Sequence, residues 1–363
     1  MAKKLRPDWV LFMVTLVLAI FGVVMVFSSS VVTAKEVMGN PNYFSFKQLI
    51  AATIGLAVMF VLMKIDYHLY RKPVIVFSAL SMAVALLVVV YFLAATAHTH
   101  RWIQFPVISF QPSELAKLAT VFFLAYFLEK RKGEINNIKF TLVPIAVIVG
   151  VLAVLIVKEP DLGTAVAMLL TASVLLFVAG LDLRWFAMCA ILAVPAFYFL
   201  VFRVKWRWDR IMAFLHPEAD PLRTGYHAIQ SLISVGSGGI FGLGFMEGKQ
   251  KLFFLPEAHT DFIFAVIGEE LGLIGTCSVL LFFMVFLWRG LRTSVKAPDL
   301  FGFYLALGIT MMVCVQAFIN MSVVLTLMPT KGIPLPFLSY GGSSFVIMLA
   351  AVGILLNVSQ QSS

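Results

Sequence analysis

The sequence predicts an all-α integral membrane protein of about ten transmembrane helices, with one large extracytoplasmic loop between helices 7 and 8. Three observations lead there. Hydrophobic residues make up 61% of the 363, and charged residues only 12%, a composition that soluble globular domains do not show. About ten apolar runs approach the roughly 20 residues that a helix needs to cross a bilayer. One polar stretch, 203–260, separates the seventh run from the eighth.

The runs are read at 9–32, 44–63, 74–95, 113–128, 140–157, 162–180, 185–202, 261–288, 300–325 and 342–357. The first follows Lys3, Lys4 and Arg6. It is too long for a signal-peptide core and no small-residue cleavage site follows it. No internal repeat or soluble domain is apparent, so residues 1–363 are read as a single polytopic domain containing the 203–260 loop.

The net charge of +9 does not point to nucleic acid, because the basic residues sort by loop. Lys3, Lys4, Arg6, Lys64, Arg71, Lys72, Lys130, Arg131, Lys132, Lys139, Arg184, Arg289, Arg292 and Lys296 fall on one side of a ten-span plan. Few basic residues fall in the short loops of the other. The positive-inside rule then places both termini in the cytoplasm and the 203–260 loop outside. Trp9, Trp185 and Trp288 mark one predicted interface, and Trp102, Trp206 and Trp208 the other. Cys189, Cys277 and Cys314 all lie within spans and carry no functional signal.

The outer segments hold the chemistry. Asp261 closes the long polar loop and opens the next apolar run, at a membrane–water boundary. It is a candidate general base or metal-assisting carboxylate. The bland alternative is an acid stabilised at a helix start, with Thr260 as N-cap. A helix N-terminus lowers an aspartate pKa, so a base role requires burial or a neighbour such as Glu257 to raise it. Glu114 and Lys117 are three apart at the start of a run and share a helix face. A lysine inside a span normally faces protein or a water-filled cavity; Asp161 is a second candidate partner for it. Glu269 and Glu270 are read as structural.

The 203–260 loop carries an amphipathic segment. Tyr226, Ile229, Leu232 and Ile233 share one helical face, and His227, Gln230, Ser231 and Ser234 the other. That pattern fits a helix lying flat at the bilayer surface. The glycine-rich 236–244 that follows matches no nucleotide fingerprint. Arg101, Arg203, Lys205, Arg207, Arg210, Arg223, Lys249, Lys251 and Lys331 could cradle a pyrophosphate or adhere to anionic headgroups; 203–210 is assigned to headgroups. The segment 329–344 is irregular at membrane depth, which is tolerated only beside protein or a cavity, and is read as re-entering toward Asp261.

Arg101-Trp102-Ile103, Gln111–Lys117, Glu159–Thr164, Gly225–Gly239, Leu255–Gly272 and Pro329–Ser344, taken in this order, resemble the SEDS family (shape, elongation, division and sporulation proteins). Leu255-Pro256-Glu257-Ala258-His259, Ile267–Glu270 and Pro329–Gly332 resemble its division branch and that branch's sporulation relative, whereas the elongation branch usually departs there; the division branch is taken as the nearer. His98-Thr99-His100 departs from the small residues common there.

The resemblance implies a peptidoglycan glycosyltransferase that polymerises lipid II at the outer face of the bacterial cytoplasmic membrane, at the division septum. It implies Asp261 as the key aspartate, Glu114 and Lys117 as an acid–lysine pair and Asp161 as a loop acid. Arg101, Gln230, Lys249, Gln250, His259, Lys331 and Ser339 join them as substrate-binding candidates. A divalent cation (Mg²⁺ or Mn²⁺), held by Asp261 and Glu257, is the candidate cofactor. Implied partners are lipid II, the nascent glycan, membrane lipids, other division proteins and a class B penicillin-binding protein docking along 261–288 and 300–325. The competing reading is a lipid II flippase, for which Glu269 and Glu270 would serve as in-membrane acids and broken helices or inverted repeats would be expected.

Overall fold

The computed structural model describes residues 6–93, 101–104 and 109–362. His98, Thr99 and His100 lie outside them.

The chain folds as a bundle of long helices. Asp8 caps α1 (Trp9–Met38) by accepting from the Leu11 N–H at 3.0 Å. Then come α2 (Tyr43–Lys64) and α3 (Pro73–Phe92), the latter opened by a proline that gives up an N–H no helix start can use. A two-residue antiparallel pair, β1 (Ile103–Gln104) and β2 (Ser109–Phe110), leads into α4 (Pro112–Lys130). Three apolar helices follow: α5 (Val143–Lys158), α6 (Leu162–Val178) and α7 (Leu183–Phe197). The polar loop contains α8 (Lys205–Leu215) and α9 (Tyr226–Ser237). The chain ends with α10 (Ile263–Val295), α11 (Leu300–Val324) and α12 (Gly342–Gln361).

Among the described residues seven helices, α1, α2, α3, α10, α11, α12 and the helical stretch Ile138–Lys158 that ends in α5, are long and apolar enough to cross a membrane. The helical membrane architecture is therefore established. α11 and α12 sit at the centre, mostly buried, with α4 against α11 and α2 along α12. α7 lies at the rim, where Leu183, Ile191, Leu192 and Val194 are exposed, as lipid-facing residues would be.

The amphipathic segment forms the helix α9, with the serines of its polar face packed against protein. Ala228, Ser231 and Ser234 are buried, while Leu232 and Ile233 remain exposed. Ser231 donates to the Val324 carbonyl at 2.7 Å and Ser234 to that of Ala265 at 3.1 Å, fixing the small-residue face to α11 and α10.

α10 is broken at Gly272 (φ 65°, ψ −159°). The glycine-rich loop after α9 fills the break. Leu243 and Gly244 donate to the carbonyls of Glu269 and Glu270 at 3.0 Å each, and Leu273 donates back to Gly239 at 2.9 Å. A β-carbon at position 272 would lie 2.4 Å from the Gly242 nitrogen, so only glycine allows this approach. The break, a feature the transport reading also expects, is packed against the glycine-rich loop.

Candidate active site

Three segments converge on one cavity of about 760 Å³, and Asp261 stands in its wall. The first segment is the turn-rich 251–262. Glu257 adopts a left-handed backbone (φ 54°), and its carboxylate accepts the Thr260 hydroxyl at 2.9 Å. This corrects the expectation that Thr260 caps the helix: its hydroxyl is taken, α10 begins only at Ile263, and Phe262 precedes it without a side-chain cap. Asp261 is therefore a loop residue, held by its carbonyl, which accepts from Asn320 Nδ2 at 2.8 Å. The same amide group donates to the Ile333 carbonyl at 2.7 Å. Asn320, on α11, thus ties the Asp261 turn to the 329–341 segment.

That segment is the second wall. It plunges into the bundle as expected, with Ile333, Leu335, Phe337 and Leu338 buried. Gly332 passes directly beside the aspartate: a β-carbon there would lie 3.0 Å from Asp261 Oδ2. Lys331 lines the cavity, and burial lowers its pKa. Arg101 forms the third wall. Its guanidinium donates to the Glu159 carbonyl at 3.0 Å and to the Pro160 carbonyl, which aims it at the cavity. From the loop helices, Arg210 and His227 complete the lining.

Asp261 is half-buried, and its carboxylate accepts no hydrogen bond from a described residue. Burial first, then the charge of Glu257, push its pKa up to about 7, against the pull of Arg101 and Arg210. The base requirement raised by the sequence is thus met by the two effects it named. Glu159 lies behind the wall, 1% exposed, with both carboxylate oxygens unpartnered. Burial and the neighbouring Asp161 raise its pKa to about 9, so it stands neutral at pH 7.

Other candidates take different places. Glu114 and Lys117 form a buried ion pair at 2.8 Å, and Lys117 also donates to Gln316 Oε1. Asp161 does not reach Lys117. It caps α6 through the Thr164 N–H at 3.1 Å and accepts from Gln111 Nε2 at 3.1 Å. Gln230, Lys249, Gln250, His259 and Ser339 lie outside the cavity lining. Lys249 is exposed, and its backbone N–H, like that of Gln250, donates to Glu269. His259 packs against Phe44 in a tilted arrangement, with ring centroids 4.6 Å apart. Ser339 donates to the Thr260 carbonyl at 2.5 Å, which braces the turn. Arg210, His227 and Gly332 were missed as site residues. Arg210 sits in the Trp206–Arg210 run that the sequence had assigned to headgroups; His227 lay on the polar face of α9.

Among the described residues no group of three His, Cys, Asp or Glu side chains could hold a metal ion. Asp261 and Glu257 both face the cavity, and Mg²⁺ commonly takes one or two carboxylates, with water and phosphate oxygens completing its octahedron. The pair fits a cation shared with a phosphorylated substrate.

A fold of packed membrane helices with a half-buried aspartate and four basic side chains, Arg101, Arg210, Arg223 and Lys331, around one cavity at the end of the bundle defines a class of membrane enzymes. The profile of the FtsW/RodA/SpoVE family of cell cycle proteins matches residues 8–363, and the chain belongs to that family. It is 44% identical over 355 residues to a probable peptidoglycan glycosyltransferase FtsW of Geobacter metallireducens, covering 98% of this chain and 95% of that one. It is 43% identical to the stage V sporulation protein E of Bacillus subtilis, covering 99% of each. A chain in a peptidoglycan synthase complex that coordinates polymerization and crosslinking superposes with a TM-score of 0.79 at 26% identity, covering 97% of each chain. The rod shape determining protein RodA of Thermus thermophilus superposes at 0.72 with 25% identity, over 98% of this chain and 97% of that one.

Proposed function

We propose that this protein is a peptidoglycan glycosyltransferase that polymerises lipid II at the outer face of the cytoplasmic membrane during septal wall synthesis. The observation that carries this reading is the Asp261 carboxylate, free of hydrogen bonds from described residues, raised to about 7 and facing a cavity lined by Arg101, Arg210 and Lys331. The full-length identity to proteins named as peptidoglycan glycosyltransferases supports it.

In the reaction, the acceptor's GlcNAc 4-hydroxyl gives its proton to Asp261. Its oxygen attacks the anomeric carbon of the donor's MurNAc. The carbon–oxygen bond to undecaprenyl pyrophosphate breaks, and the anomeric centre inverts from α to β. Such base assistance contributes roughly a hundred- to ten-thousand-fold. Arg101, Arg210 and Lys331 balance the charge of the departing pyrophosphate. Lys117, buried and paired with Glu114, holds α4 to α11 through Gln316. A divalent cation held by Asp261 and Glu257 would supply further charge neutralisation to the pyrophosphate.

Ten spans, with both termini in the cytoplasm, place the cavity outside. α4, α6 and α7 supply the three spans beyond the seven longest helices. A crosslinking partner, a class B penicillin-binding protein, docks on α10, which exposes Leu273, Ile274, Leu280, Leu281, Met284 and Trp288. α11 is buried over most of its length and offers it little. The similar identity to a sporulation protein favours a second reading, sporulation wall synthesis by the same chemistry.

The test is the purified chain with lipid II in detergent, where sidedness is lost but polymerisation is not. Glycan product is expected; lipid II left unpolymerised with or without the cognate transpeptidase, beside an active transport assay in vesicles, would favour the flippase reading.

A further inference from the structure

At the end of the bundle opposite Asp261, a second cavity of about 370 Å³ lies between the start of α1, the last turns of α10 and the end of α12. Arg6, Arg289, Arg292 and Lys296 line it, and Asp8 is the one acid in its wall among the described residues. Arg6 and Arg292 add positive charge beside the Arg289–Asp8 pair.

The single acid is fully engaged. Its carboxylate accepts Arg289 Nε at 2.8 and 3.1 Å and pairs with Nη2 at 2.5 Å, while also capping α1. Its backbone N–H donates to Ser359 Oγ at 3.0 Å. Asp8 therefore neutralises Arg289. Arg6 and Arg292 are exposed and make no ion pair with a described residue. Cations gathered around one concavity repel one another unless an anion sits among them.

The surroundings indicate which anion. Trp9, 53% exposed, lines the cavity, and Trp288, 60% exposed, lies against the lining residue Arg289, whose guanidinium is 5.5 Å from its ring centroid. Beyond them run exposed Met13 and Val17 on α1. Tryptophans of this kind sit at headgroup depth, above acyl chains. The cavity thus opens where lipid phosphates lie, with an apolar helix face directly beside it for the chains of the same molecule.

We propose that this cavity binds a phosphate group presented by the headgroup of an anionic phospholipid in the leaflet opposite the Asp261 site. Arginine meets phosphate with two parallel N–H donors, and basic pockets between membrane helices suit such headgroups. A lipid held there clasps the start of α1 to the end of α10, a junction otherwise joined by the Asp8–Arg289 pair. The inference is independent of the chemistry proposed for Asp261.

Native mass spectrometry of the full-length chain in detergent tests it. The probes are phosphatidylglycerol, phosphatidylcholine with the same acyl chains, and inorganic phosphate. The wild type is expected to retain phosphatidylglycerol over phosphatidylcholine. The double variant Arg6→Gln, Arg292→Gln is expected to bind phosphatidylglycerol roughly thirtyfold more weakly, about fivefold per arginine, with an unchanged lipid-free melting temperature. Asp8→Asn keeps a capping oxygen, releases Arg289 and is expected to bind the lipid more tightly; a merely structural cavity would give the reverse. Equal retention of both lipids, or equal binding by wild type and double variant, overturns the site. Inorganic phosphate that stabilises the wild type as much as phosphatidylglycerol overturns the assignment to lipid.

Discussion

Asp261 and the pair Glu269–Glu270 lie within ten residues of one another, yet their surroundings are opposite. Glu269 accepts the backbone N–H groups of Lys249 and Gln250, the nearest at 2.7 Å. Glu270 accepts Ser28, the Met246 N–H and Lys251 Nζ, the last at 2.6 Å. Both are essentially buried. They clamp the glycine-rich loop onto the broken helix. Asp261 has none of these bonds and faces the cavity instead. A buried acid with its oxygens satisfied is structure; an acid left unsatisfied beside a cavity retains its lone pairs for a substrate. The rival transport reading needed Glu269 and Glu270 to be available, and their hydrogen bonds remove them.

Substitution should separate the two regions. Asp261→Ala is expected to lower lipid II polymerisation at least a hundredfold and to leave the melting temperature near that of the wild type. Glu270→Ala strands the Lys251 ammonium, 3% exposed, and should cost about 3–5 kcal/mol of stability, seen as lower yield and an earlier thermal transition. An enzyme that tolerates Glu270→Ala in the melting assay would break the contrast.

The pH dependence sharpens it. Only the ionised form of Asp261 accepts a proton, and its pKa stands at about 7. The rate should therefore fall about tenfold per unit as pH drops below that value, and level off above it. A rate that stays flat down to the usual carboxylate range would contradict a raised pKa.

A smaller effect is expected behind the wall. The Glu159 carboxyl is raised to about 9 when folded. The unfolded chain ionises it near the ordinary carboxylate value, so its burial costs stability that grows as pH rises from there through about 9. Glu159→Gln should flatten this fall in a melting-temperature series across that window. At exposed Lys249, an alanine should change neither activity nor stability measurably.

The sequence disclosed the helices because apolar runs are local signals, and the break between loop and helix singled out Asp261. The polar and apolar faces of α9 were legible for the same reason. What could not be read were contacts set by distant packing. Asn320 looks like an ordinary polar residue inside a span, yet it joins Asp261 to Ile333. Arg210 meets the site only because α8 folds back over the 329–341 segment, where its Nη1 approaches the Thr330 carbonyl at 3.5 Å. Asp161 was paired with Lys117 by charge alone, whereas Thr164, three residues on, and Gln111 already satisfy it. Thr260 failed as a cap because the left-handed Glu257 turned its own carboxylate onto that hydroxyl.

The most direct measurement is the initial rate of lipid II polymerisation by purified Asp261→Asn, at a pH above 7, beside the wild type. Asparagine keeps the shape and removes the proton acceptor. Loss of product from a protein that melts normally is the expected result. Glycan made at the wild-type rate would contradict the role given to this carboxylate.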